Sequence, residues 1–143
     1  MANNKLKIMI MRLTSLILLL VVCAFVPSAH AMNRWAALSM IESGNDDLAV
    51  GSLGEVSRYQ IRPYLWPGGN PHNAMEALDA AKTIMQPRLA KFEHSHGRVP
   101  TDFEFYVLWN APQEVNHPCK AVAERAHRFA NLVERTDVKY ASR

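Results

Sequence analysis

Apolar positions recur at three- and four-residue steps in four stretches of this chain, and each stretch carries start and stop signals of a helix. Trp35, Leu38, Met40 and Ile41 form the first stripe, with Asn33 as its N-cap and Gly44 as its stop after Ser43. Met75, Leu78, Ala81, Met85, Leu89 and Phe92 form a longer one, which Asn73 and Glu76 open as a capping box and His96-Gly97 close. Pro87 falls inside it and predicts a kink or a division into two helices. Thr101 and Glu104 make a second capping box, ahead of an aromatic helix from Phe105 to Asn110. Val122, Arg125-Ala126, Phe129 and Val133 mark a last helix that starts at Pro118 and runs to about Thr136, with a frayed tail from Lys139.

Between the first two helices the periodicity breaks down. From Asn45 to Ile61 short apolar pairs alternate with polar residues, and Gly51 and Gly54 signal turns, which predicts a small irregular β-hairpin or extended loop. Three prolines, two glycines and Asn70 between Arg62 and Pro71 predict a surface loop. The expected class is α+β, mostly α, with a helical core and one domain over residues 32–143.

The first 31 residues read as an export signal. Lys5, Lys7 and Arg12 precede an apolar stretch from Leu13 to Val26, and Ala29-His30-Ala31 supplies small residues at a cleavage triplet. That stretch is short of the roughly 20 apolar residues a bilayer span needs, so no permanent span is expected after cleavage. The expected location is periplasmic or extracellular.

Removing the signal changes the charge argument. The formal net charge is +3, but three of the 16 basic residues and none of the 13 acidic ones lie before Met32, which leaves 13 of each. A neutral domain gives no reason to expect a nucleic-acid partner. Cys119 is the one cysteine left, so no intrachain disulfide is available, and it reads as an idle thiol. His94 and His96 lie two apart and point to different helix faces, and nothing completes a ligand set around them. No metal and no cofactor is therefore expected.

The candidate chemistry sits in three short segments: Glu42-Ser43-Gly44, Gly54 to Ile61, and Trp109-Asn110-Ala111. Their order and spacing resemble the soluble lytic transglycosylase domain of the lysozyme-like superfamily, whose motifs run E-S, A-x-S-x-x-G, A-x-G-L-M-Q-I and A-Y-N-A-G. Ala49 to Gly54 fits the second motif, with Gly51 where serine is usual. Glu55-Val56-Ser57-Arg58-Tyr59-Gln60-Ile61 stands for the third, with Ser57 at a glycine, Arg58 at an apolar position and Tyr59 at the methionine. Trp109 and Asn110 match the Tyr-Asn pair, and Pro112 replaces the last glycine.

The resemblance implies a lysozyme-like fold and cleavage of peptidoglycan glycan strands by a monomeric enzyme. Glu42 is then the general acid and base, with Ser43, Glu55, Tyr59, Gln60, Trp109 and Asn110 as substrate-binding residues. Physical chemistry agrees for Glu42. A carboxyl at the end of an apolar helix is desolvated and feels the partial negative charge of the helix C-terminus, and both keep it protonated.

Several roles stay open from the residues alone. Gln60 is either a glycan contact or a strut of the hairpin, and Glu55 either a second carboxylate that activates water or an ion-pair partner of Arg58 or Arg62. Trp109 and Tyr106 are either core or sugar platforms, and Asn110 either binds sugar or holds backbone. Two alternatives accompany the transglycosylase: a lysozyme-type hydrolase using Glu42 and Glu55, and a non-catalytic peptidoglycan-binding protein.

Overall fold

The computed structural model describes residues 32–133, so the expected export signal, its cleavage triplet and the expected frayed tail lie outside the described residues. Four helices follow in order: α1 (Arg34–Ser43), α2 (Ala74–His96), α3 (Asp102–Asn110) and α4 (Lys120–Val133). Single 3-10 turns, Pro63–Leu65 and Pro112–Glu114, sit in the connections. None of these helices is long and apolar enough to cross a membrane.

The caps act much as the sequence suggests. Asn33 accepts from the Ala36 amide, and Gly44 closes α1 in a left-handed conformation at φ 70°. Thr101 and Glu104 form the complete capping box of α3. Arg98 also grips Glu104 through two bonds of 2.7 and 2.6 Å. This pairing, with the Thr101 backbone and hydroxyl bonds, holds the Glu104 carboxyl at about 2. At α2 only half of the expected box forms. Asn73 accepts from Met75 and Glu76, but the Glu76 carboxylate turns away to accept from the Asn70 amide at 2.7 Å. It clamps the preceding loop instead of the cap.

Three further expectations need correction. Of the two outcomes expected at Pro87, division is overturned, since α2 runs unbroken for 23 residues. The proline forfeits one amide donor, while the buried stripe of Ala77, Ala81, Met85 and Phe92 on either side keeps the helix together. Pro118 lies two residues before the first residue of α4, outside the helix. The β-hairpin reduces to two isolated antiparallel bridges, Val50 with Val56 and Val56 with Ile61. Gly54 (φ 78°), Ser57 (φ 70°) and Gln60 (φ 49°) all turn left-handed, which interrupts the extended backbone every three residues and leaves single bridges in place of strands.

The core is built around α3. Every residue from Phe105 to Trp109 is buried, because α2 and α4 both pack on this helix while α1 closes the end against α4. A helix apolar all round can sit only in such an interior position. Phe129 of α4 stacks on Phe105 with centroids 5.7 Å apart and tilts against Tyr106 at 5.6 Å. Trp35 of α1 meets Phe105 edge-on at 5.5 Å. Arg34 ties α1 to α3 through Asp102 at 2.6 Å and the Pro100 carbonyl at 3.1 Å. These contacts bring the C-terminal end of α1, and with it Glu42, beside the middle of α3. Met40, counted in the apolar stripe, is instead 36% exposed, since α1 buries Ala37, Leu38 and Ser39.

Candidate active site

One cleft of about 450 Å³ opens along this junction, and Glu42 lies in its wall. Four of the residues expected to bind substrate line it as well: Glu55, Gln60, Trp109 and Asn110. They come from the end of α1, the loop after it and the end of α3, so the fold gathers segments up to 68 residues apart in sequence.

The Glu42 carboxyl is held at one oxygen and open at the other. The Tyr106 hydroxyl donates to its Oε1 at 2.8 Å. Its Oε2 has no hydrogen-bond partner among the described residues, and it is not a buried orphan, so it is reachable from the cleft. Burial pushes the carboxyl above the ordinary glutamate value. The Tyr106 bond and the Arg125 guanidinium pull it back part of the way, and the charge of Glu55 adds a little to the rise. Tyr106 is itself fully buried, and its hydroxyl is driven strongly upward, first by burial and then by the Glu42 charge. It stays a neutral donor throughout the accessible range.

The loop of residues 45–61 is braced from within. Gln60 Nε2 donates to the Ser57 carbonyl at 3.0 Å and the Ala49 carbonyl at 3.4 Å, so this side chain is a strut that also lines the cleft. Arg58 is not a cleft charge, because Asp47 holds its guanidinium through bonds of 2.6 and 2.8 Å. Glu55 therefore has no ion pair with Arg58 or Arg62 among the described residues. Its carboxylate accepts from the Leu53 amide at 2.9 Å and faces the cleft. Asn110 is exposed at the end of α3, and its side chain makes no hydrogen bond among the described residues, which leaves both amide groups for a ligand.

Two residues expected to bind substrate do other work. Ser43 donates to the Arg58 carbonyl at 2.9 Å and accepts from the Asp46 amide at 3.1 Å, tying the end of α1 to the loop. Tyr59 is 3% exposed and packs edge-on against Trp35 at 6.5 Å, in the core and away from the cleft. Trp109 does both: it is 9% exposed, mostly core, with an edge in the cleft wall.

No family model, curated protein or solved structure matches the chain.

Three residues at the site had no assigned role from sequence: the Tyr106 hydroxyl, Arg125 and Arg88. A tyrosine within the otherwise apolar run Phe105 to Leu108 was a usable signal, since a buried phenol needs a partner. Nothing in the sequence named Glu42, 64 residues earlier, as that partner. Replacing Tyr106 by Phe deletes a bond that lowers the Glu42 carboxyl, so the basic limb of any Glu42-dependent pH–rate profile should move to higher pH. A profile that does not move would separate this hydroxyl from the chemistry.

Gly51 explains how Glu55 fits. The space a Cβ would take there is filled by the Glu55 carboxylate and the Gln60 amide oxygen. Gly51→Ser should therefore destabilise the domain by about 1–3 kcal/mol. In a Glu55→Ala background most of that cost should vanish, and thermal denaturation of the double-mutant cycle measures the coupling. Additive effects would show that the two side chains do not compete for space.

Proposed function

We propose that this chain is an exported lytic transglycosylase of lysozyme-like type, acting on peptidoglycan as a monomer in the periplasm or outside the cell. The observation that carries the reading is the Glu42 carboxyl: raised by burial, gripped at Oε1 by Tyr106, and open at its other oxygen to a cleft. A poor leaving group such as a sugar hydroxyl needs a proton as the bond breaks, and a carboxyl serves near neutral pH only when its pKa is lifted.

The reaction needs one such group. Glu42 gives its proton to the glycosidic oxygen, and the C1–O bond breaks as positive charge builds on the N-acetylmuramic acid ring. The C6 hydroxyl oxygen of that ring bonds to C1, and its proton goes to the Glu42 carboxylate. The products are a free sugar hydroxyl and a 1,6-anhydro end, with the catalyst restored and no water consumed. Tyr106 keeps Glu42 oriented, Arg125 tempers the carboxylate charge that appears midway, and Asn110 supplies donors and acceptors for sugar hydroxyls and acetamido groups.

Glu55 supports a second reading. It is a carboxylate in the same cleft and free of an ion pair, so it could activate water and make the protein a lysozyme-type hydrolase. Mass spectrometry of digested sacculi separates the two. Anhydro ends are expected, and reducing ends would replace the transglycosylase by the hydrolase. Binding without released fragments would leave a non-catalytic peptidoglycan-binding protein.

A further inference from the structure

Arg88 stands between two cavities. It lines the Glu42 cleft and also a second, separate groove of about 430 Å³, with Pro112 and Gln113 common to both. Its Nη1 donates to the Leu108 and Trp109 carbonyls at 2.9 and 2.7 Å, which caps the end of α3. The guanidinium also lies over the Trp109 ring, 5.9 Å from its centroid. Nε and Nη2 have no partner among the described residues, and no carboxylate pairs with the group there. Partial burial disfavours its charge, so the fold maintains a cation with no counter-anion of its own.

The groove beyond Arg88 differs in character from the cleft. Its floor is apolar, with Phe92, Leu108 and Val115, and Lys91 stands on its rim. No aspartate or glutamate lines it, whereas Glu42 and Glu55 line the cleft. An apolar floor with Lys91 at its rim and Arg88 shared with the neighbouring cleft suits a short acidic peptide attached to the sugar.

We infer that the Arg88–Lys91 groove receives the acidic peptide branch of the glycan, with Arg88 taking a carboxylate near the sugar and Lys91 one further out. The inference rests on the peptidoglycan reading of the cleft and names how that substrate is told from a neutral chitin-like polymer. Muramic acid carries its branch at C3, and the groove that shares Arg88, Pro112 and Gln113 with the cleft is the neighbouring space that can take it. A neutral N-acetylglucosamine chain has nothing to place against Arg88. It leaves the unpaired cation desolvated by the bound sugar, which selects against it.

The test is equilibrium binding to the Glu42→Gln protein, in which turnover is blocked. Three tetrasaccharide probes are needed: one with acidic stem peptides, the same one with its carboxyls amidated, and an N-acetylglucosamine tetramer. Amidation should weaken binding about 10-fold or more, the gain of hydrogen bonds to a charged group. Arg88→Met should remove that preference but also strips two carbonyls of their donor. Lys91→Glu is the second variant, since the Lys91 side chain is exposed and has no ion pair among the described residues. It should cost about 3- to 10-fold on the acidic probe and nothing on the amidated one. Equal binding of acidic and amidated probes, or indifference to Lys91→Glu, overturns the groove assignment. Sacculus digestion by the wild type is scored separately, so a wrong groove with a working enzyme is distinguishable from a protein that does not cleave at all.

Discussion

Glu42→Gln should reduce release of muropeptide fragments by about 100- to 10,000-fold while the domain stays folded, the range a general acid of this type contributes. The substitution is nearly isosteric, and the amide oxygen can still accept the Tyr106 hydroxyl, so the packing around α1 and α3 is kept. Only the transferable proton is lost. Residual activity within about 10-fold of wild type would remove Glu42 from the mechanism.

The same variant makes an opposite prediction for stability. Burial raises the Glu42 carboxyl in the folded state, so the folded protein holds this proton more tightly than the unfolded chain does. The stabilisation from that bound proton is complete below the unfolded value and is lost as the pH rises through the folded one. At neutral pH wild type therefore carries a buried carboxylate against its preference, and a glutamine does not. Glu42→Gln should melt higher than wild type at pH 7, with a smaller difference near pH 4, on a scale of about 4–8 °C per kcal/mol for a domain of this size. Equal melting temperatures across that range would mean the carboxyl is solvated like any surface glutamate. A gain in stability joined to a loss of turnover is what a group placed for chemistry gives when it is removed.

Phe129→Ala should be the most destabilising single substitution in the core, at about 3–5 kcal/mol. Phe129 is fully buried against both Phe105 and Tyr106, so its removal opens a void at the contact between α3 and α4. Total stability of a domain this size is about 5–15 kcal/mol, so a third or more of it could go. Tyr106 loses a packing neighbour at the same time, and its hydroxyl holds Glu42, so activity should fall by more than the unfolded fraction accounts for. Thermal and urea denaturation give the stability term. A loss below about 1 kcal/mol would be incompatible with Phe129 as the wedge between these helices.

Helices were the legible part of this chain, and the reason is local. Caps at Asn33, Asn73 and Thr101 act within three residues of themselves, and apolar spacing along one helix needs no knowledge of another. The segment from Asn45 to Ile61 was less legible. Single bridges and left-handed residues at Ser57 and Gln60 arise where Ser43, Gln60 and Asp47 tie the loop to itself and to α1. Those ties look in sequence like a set of polar residues suited to a ligand. Ser43 and Tyr59 are expected at the substrate only through the motif resemblance, and tertiary packing gives them structural work.

Sequence alone determined the helix caps at Asn33, Asn73 and Thr101, that Glu42 stands at the end of a helix, and that a glutamine and a Trp-Asn pair follow at suggestive intervals. Tertiary structure decided which of these residues share a cleft, that the buried Tyr106 phenol finds its acceptor on Glu42, and that Arg88 and Arg125 stand at the same site. Capping and periodicity are short-range effects encoded by neighbours along the chain. Desolvation of a carboxyl, its hydrogen-bond donor and the charges around it depend on what packs against it from 64 or more residues away, and only folding sets that.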